Sequence, residues 1–166
     1  MRLTLISIWF QLLWFLAVIG RQETQWWLLL AVIATYLYVL LRQSIPLDRL
    51  FFVSFIGIAV DWLNVKFHLL EFPDDFLPTW LISLWFIFAW YAYNLVPVLK
   101  RFSSLAVVPV GGLLGAISYF AGYQLGAVTL PYPLGWSLTA LFIEWTLIMW
   151  LIIKVVFSDR TRKKSH

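Results

Sequence analysis

LFFVSFIGIAVDWLNVKFHLL, residues 50–70, decides the fold. Its 21 residues are enough to cross the hydrocarbon core of a bilayer, for which a helix needs about 20. Asp61 stands inside it, roughly 16 Å from Leu50 at about 1.5 Å per residue, near the midplane. An ionisable group at that depth costs roughly 2.5–3.5 kcal/mol on insertion scales and usually faces the bundle interior or a wet cavity. Asn64 and His68 follow Asp61 at helical spacing on one face. Ser54 and Gly57 continue that stripe one way and Glu71 the other, so the stripe is expected to line a cavity open to the outer side.

The rest of the chain has the same character. Of its 166 residues 63% are hydrophobic and 12% charged, with 11 Trp, 14 Phe and 7 Tyr, more apolar surface than one soluble core can hide. No polar stretch is long enough for a second domain. There is no cysteine, which removes disulfides, thiolate metal sites and Cys nucleophiles. The net charge of +4 lies in short loops and a tail, so no basic face is broad enough for nucleic acid. The apolar run after Met1 and Arg2 is longer than a signal-peptide core and ends in Ala17-Val18-Ile19-Gly20 without a small-x-small cleavage site, so it is expected to stay as a first span.

Hydropathy predicts an all-α integral membrane protein with six transmembrane helices: Leu3–Ile19, Trp26–Leu41, Leu50–Leu70, Trp80–Leu99, Leu105–Val128 and Ser137–Phe157. They form one domain over residues 1–157, followed by a basic cytoplasmic tail, 158–166. Arg2, Arg42, Arg49, Lys100, Arg101, Lys154, Arg160, Arg162, Lys163 and Lys164 fall on one side, against Arg21 and Lys66 on the other, so both termini are expected in the cytoplasm. Trp26, Trp27, Trp80 and Trp136 are expected at the outer interface. No internal repeat is legible.

Glu144 is the second intramembrane acid, inside the sixth span. If it meets Asp61, one carboxyl keeps a proton while the other ionises, the condition for general acid and base roles. The alternative is that each acid only hydrogen-bonds a neighbouring helix. Tyr93 and Asn94 in the fourth span could satisfy a buried carboxyl, or serve as ordinary interhelical contacts. In the fifth span Gly111, Gly115, Ser118, Gly122 and Gly126 form a stripe of small residues, the pattern of close helix packing within the chain, of a homodimer face, or of a lipid or substrate groove beside the glycines. Tyr119 lies beside that stripe. Lys66 is expected to snorkel to the interface. No metal site is expected, because the only other histidine is His166 in the tail. No cofactor motif appears: nucleophile elbow, HExxH, P-loop and dinucleotide fingerprint are all missing.

The motifs Gly57-Ile-Ala-Val-Asp-Trp-Leu63, Ser83-Leu-Trp-Phe-Ile-Phe-Ala89, Gly115-Ala-Ile-Ser-Tyr-Phe-Ala-Gly-Tyr-Gln-Leu-Gly-Ala127 and Glu144-Trp145 resemble the bacterial inner-membrane family catalogued as domain of unknown function 2878. The resemblance covers about Gly57 to Ile153. It implies a small polytopic inner-membrane protein with functional weight on Asp61, Tyr119 and Glu144, set near lipid chemistry, and it assigns no activity. The chain departs from the family pattern at Ala116, where a proline is usual, and at Tyr91-Ala92-Tyr93-Asn94, where a His-Ser pair is frequent.

Three functions follow as expectations. The first is a membrane-embedded site that binds, modifies or moves a lipid or other apolar small molecule, with Asp61 and Glu144 as its polar centre and Asn64, His68, Tyr93, Asn94 and Tyr119 around it. The second is a non-catalytic subunit that packs against a homo-oligomeric or other membrane partner through its glycine stripe. The third is a small proton-coupled transporter.

Overall fold

A computed structural model describes residues 1–74 and 76–162. Among these the chain forms five helices and no strand longer than a single bridge: α1 (Arg2–Arg42), α2 (Leu47–Lys66), α3 (Thr79–Leu99), α4 (Ser104–Gln124) and α5 (Leu134–Arg162). The expected six separate spans are corrected to these five helices. Four of them, α1, α3, α4 and Leu134–Val155 of α5, are long and apolar enough to cross a membrane. The helix built from the opening stretch is not among them, because it carries Asp48, Arg49, Asp61 and Lys66.

The first two expected spans are one element, α1, broken at Arg21 (φ 49°, ψ −127°). A straight helix would hold residues 9 and 35 roughly 39 Å apart. Instead Trp9 Nε1 donates to Thr35 Oγ1 at 3.1 Å, so the two limbs double back on each other. The Arg21 guanidinium donates to the carbonyls of Val18 and Leu125, which fixes the bend against the turn after α4.

α1 packs along α3, α2 along α3, and α4 along α5. The buried side chains fall into two clusters, one around Leu28, Leu50, Ile87 and Leu141 and one around Trp85, Trp145 and Ile152. Of the tryptophans expected at the outer interface, Trp26, Trp27 and Trp136 are exposed and Trp80 is buried against Phe72. The tail is corrected in part. Residues 158–162 continue the backbone of α5, while Lys163, Lys164 and His166 lie outside the described residues.

Two spans end sooner than hydropathy suggests, for the same local reason. After α2, His68 takes a left-handed φ of 57° and Leu69 N–H bonds to Asn64 O at 2.8 Å. After α4, Gly126 takes φ 71° and Ala127 N–H bonds to Gly122 O at 2.8 Å. Both are left-handed caps that close a helix on its last carbonyls. They leave His68 and Gly126 off the helical faces to which sequence spacing assigned them. Beyond the caps, Glu71 and Thr129 exchange backbone hydrogen bonds of 3.0 Å in an isolated antiparallel bridge.

These matching ends belong to a repeat that the sequence does not display. His68 and Gly126, like Glu71 and Thr129, are 58 residues apart. So are Gly57 and Gly115, each of which leaves room for an indole ring, Trp85 and Trp145 respectively. The α2–α3 and α4–α5 hairpins are therefore two copies of one arrangement. Three of their shared contacts, Glu71–Thr129, Asp61–Tyr119 and Trp85–Trp145, join equivalent positions, as contacts on a two-fold axis do.

Candidate functional site

Polar residues inside a low-dielectric bundle must satisfy one another, because no water is there to do it. Asp61, on α2, is 1% exposed. Its two oxygens share the single proton of Tyr119 Oη of α4, at 2.6 and 2.7 Å, and it accepts from Trp85 Nε1 of α3 at 2.6 Å. Three helices thus converge on one carboxylate. Asn64, one turn along α2, donates from Nδ2 to Glu144 Oε2 of α5 at 2.8 Å. The second acid is thus bound one helical turn from the first.

Aromatic packing fixes this cluster. Trp85 and Trp145 stack with ring centroids 5.1 Å apart and planes 13° from parallel, and Tyr119 tilts against Trp145 at 6.1 Å. Pairs of this kind contribute about 0.5–1.5 kcal/mol beyond the area they bury. The stack depends on the two glycines. A Cβ at Gly57 would fall inside the Trp85 ring, and one at Gly115 inside the Trp145 ring.

The small-residue stripe therefore faces inward at Gly115, and at Gly111 it faces Met149, so α4 uses it to approach α5. Ser118 bonds to Gly115 O within its own helix. Gly122 has only Val128 near a built Cβ, at 3.7 Å, and Gly126 lies beyond the helix. The stripe is not one continuous packing face.

Other expected members stand apart. His68 is exposed and pairs with Glu71 at 3.2 Å, so the polar stripe does not extend past Asn64. Asn94 bonds back to Trp90 O, and Tyr93 and Asn94 line a separate cleft with Arg2 and Arg42 at the opposite end of the helices. Lys66 rests its ammonium over the Trp62 ring, 5.0 Å from the centroid, a cation–π contact. Trp85 is the member that spacing could not reveal. Its signal was a tryptophan facing a glycine 28 residues away, which no local pattern encodes. Among the described residues no group of three or more His, Cys, Asp or Glu side chains could hold a metal ion.

The expected cavity beside the polar stripe of α2 is corrected too. Asp61 is sealed by its partners, and the large cavity lies on their far side. A groove of about 710 Å³ runs between the first limb of α1, α3 and α4, from Trp80 and Val128 at the Arg21 end to Leu99 and Ala106 at the other. Trp85, Tyr119 and Trp145 form part of its wall. The groove is thus one hydrogen bond away from Asp61, through Tyr119.

The family described as Protein of unknown function (DUF2878) matches residues 3–151. No curated protein and no solved structure matches the chain.

Proposed function

The chain belongs to that family, which assigns no activity, and we propose that it holds a lipid or other apolar small molecule inside the membrane, in the groove whose wall holds Tyr119 and, through it, reaches Asp61. The single observation that carries this reading is the composition of the wall. A cavity of about 710 Å³ is lined almost throughout by apolar and aromatic side chains, and one member of that wall, Tyr119, bonds directly to a buried carboxylate. Ligand sites combine these two elements, an apolar body and a few placed polar groups.

The distribution of basic residues supports a multi-pass place in an inner membrane with both termini cytoplasmic, so that the Arg21 end of the bundle faces outward. The glycine stripe gives less support to a partner-docking role, because Gly111 and Gly115 are already occupied by Met149 and Trp145 of the same chain.

Native mass spectrometry with lipid extraction tests the proposal on the wild type, Asp61→Asn, Glu144→Gln and Gly122→Leu. Gly122 lines the groove, and a Cβ there would come no closer than 3.7 Å to a neighbour, so a larger residue at this place is expected to compete with the ligand for the groove. Loss of a bound molecule in Gly122→Leu, with the folded protein retained, is the expected result. Identical bound lipids in all four proteins would sink the proposal.

A further inference from the structure

We infer that the molecule held in the groove is an uncharged long-chain alcohol, its hydroxyl donating to Tyr119 Oη and its chain lying along α3 and α4 toward Leu99 and Ala106. This rests on the proposed reading that the groove holds an apolar ligand.

Charge selects first. No Asp, Glu, Lys or Arg is among the described residues lining the groove. A phosphate, carboxylate or ammonium head would enter a desolvated site without a direct counter-charge, which is strongly unfavourable. The groove's polar side chains, among them Gln11, Ser118 and Tyr119, are all neutral.

Hydrogen-bond capacity selects next. A tyrosine hydroxyl has one proton and two lone pairs. Tyr119 commits its proton to Asp61, and Trp85 commits its only N–H to the same carboxylate. Ser118 spends its proton on Gly115 O. Beside Tyr119 the groove therefore presents the Tyr119 and Ser118 oxygens as acceptors, next to the indole N–H of Trp145. A ligand head that brings its own proton satisfies the Tyr119 oxygen, as a hydroxyl does and an ether or ester does not.

The two-fold arrangement explains why a groove exists on this flank. By the indole pair, Leu84-Trp85 is the counterpart of Glu144-Trp145, and Gly122 is the counterpart of Asn64. On the α2–α5 flank Asn64 and Glu144 hydrogen-bond and close the seam. On the α4–α3 flank the same two places hold Gly122 and Leu84, which cannot bond, and both line the groove. From Tyr119 to Ala106 the wall of α4 runs about 20 Å, room for an extended chain.

The test is a native mass spectrometry competition on the full-length protein in mild detergent, with octadecan-1-ol, its methyl ether, octadecanoic acid and octadecylamine. The alcohol should be retained about tenfold over each of the others, and Tyr119→Phe should bring the alcohol down to the level of the ether while leaving the ether unchanged. Equal retention of ether and alcohol by the wild type, or preference for the acid or the amine, would overturn the alcohol assignment while leaving an apolar ligand in place. If none of the four binds and Gly122→Leu changes nothing in the extracted lipids, the underlying reading falls as well. The wild-type ranking decides even if Tyr119→Phe fails to fold.

Discussion

Tyr119 binds Asp61 through both carboxylate oxygens, at 2.6 and 2.7 Å, from a position 58 residues further along and equivalent to it in the second hairpin. A residue on one copy of the repeat thus satisfies its own counterpart on the other. Because the carboxylate is buried, its partners cannot be replaced by water.

Removing one partner should therefore be felt. Tyr119→Phe and Trp85→Phe each take a donor from a desolvated carboxylate, and each is expected to lower stability by about 1–2 kcal/mol. Asp61→Ala strands both donors at once and should cost more than either single change. Thermal unfolding in detergent, followed by size-exclusion recovery, gives the order; an Asp61→Ala protein as stable as wild type would contradict it.

The glycines should differ sharply although they share a stripe. Gly57→Ala and Gly115→Ala drive a methyl into Trp85 and Trp145 and should sharply reduce recovery of folded protein. Gly122→Ala meets only Val128 at 3.7 Å and should fold normally. Equal recovery of all three variants would mean that the indoles are not held where the contacts place them.

Asn64 and Glu144 should be coupled. A double-mutant cycle of Asn64→Ala and Glu144→Ala is expected to return an interaction of about 0.5–1.5 kcal/mol, reflecting the 2.8 Å bond across the α2–α5 seam. Glu144→Gln preserves an acceptor for Asn64 and should cost less than Glu144→Ala. Additive single effects would dissolve the seam.

Arg21 combines two opposed contributions, a left-handed backbone and two hydrogen bonds to carbonyls. Arg21→Gly relieves the first and loses the second. It is expected to loosen the Arg21 end of the groove, where Val18 and Val128 line the wall. The chain has no cysteine, so a single Val128→Cys reports cleanly: maleimide labelling should be faster in the Arg21→Gly background. Unchanged labelling would remove Arg21 as a clasp.

Hydropathy made the membrane character legible, and α3 lies within one residue of its expected bounds. The count was less legible. Nothing apolar or polar in sequence distinguishes a bend at Arg21 from a loop between two spans. The end of α2 was hidden because His68 is neither glycine nor proline, yet takes a glycine-like conformation. At the site, Asp61 and Glu144 were conspicuous because charge inside hydrocarbon has a large cost. The Asn64–Glu144 bond was not, since it depends on α2 and α5 touching across 80 residues of chain. The repeat escaped for a related reason. Its equivalent positions hold different residue types at Asp with Tyr, His with Gly and Glu with Thr, and two isolated pairs of the same type, Gly57 with Gly115 and Trp85 with Trp145, are too few for a sequence pattern.

The placement of the Glu71–Thr129 bridge, the Tyr119–Asp61 bond and the Trp85–Trp145 stack has a mechanical meaning. All three sit where the two hairpins share an axle. Contacts on an axle move least when the bodies around it turn, and the flanks move most. One flank is the Asn64–Glu144 seam and the other is the open groove. A small rocking of one hairpin against the other would spread the groove as it pressed the seam, and the reverse stroke would pinch the groove as it pulled Asn64 from Glu144. The seam is tied at two heights, by Asn64 to Glu144 and by Arg49 to Val155, and these bonds limit how far that flank can part.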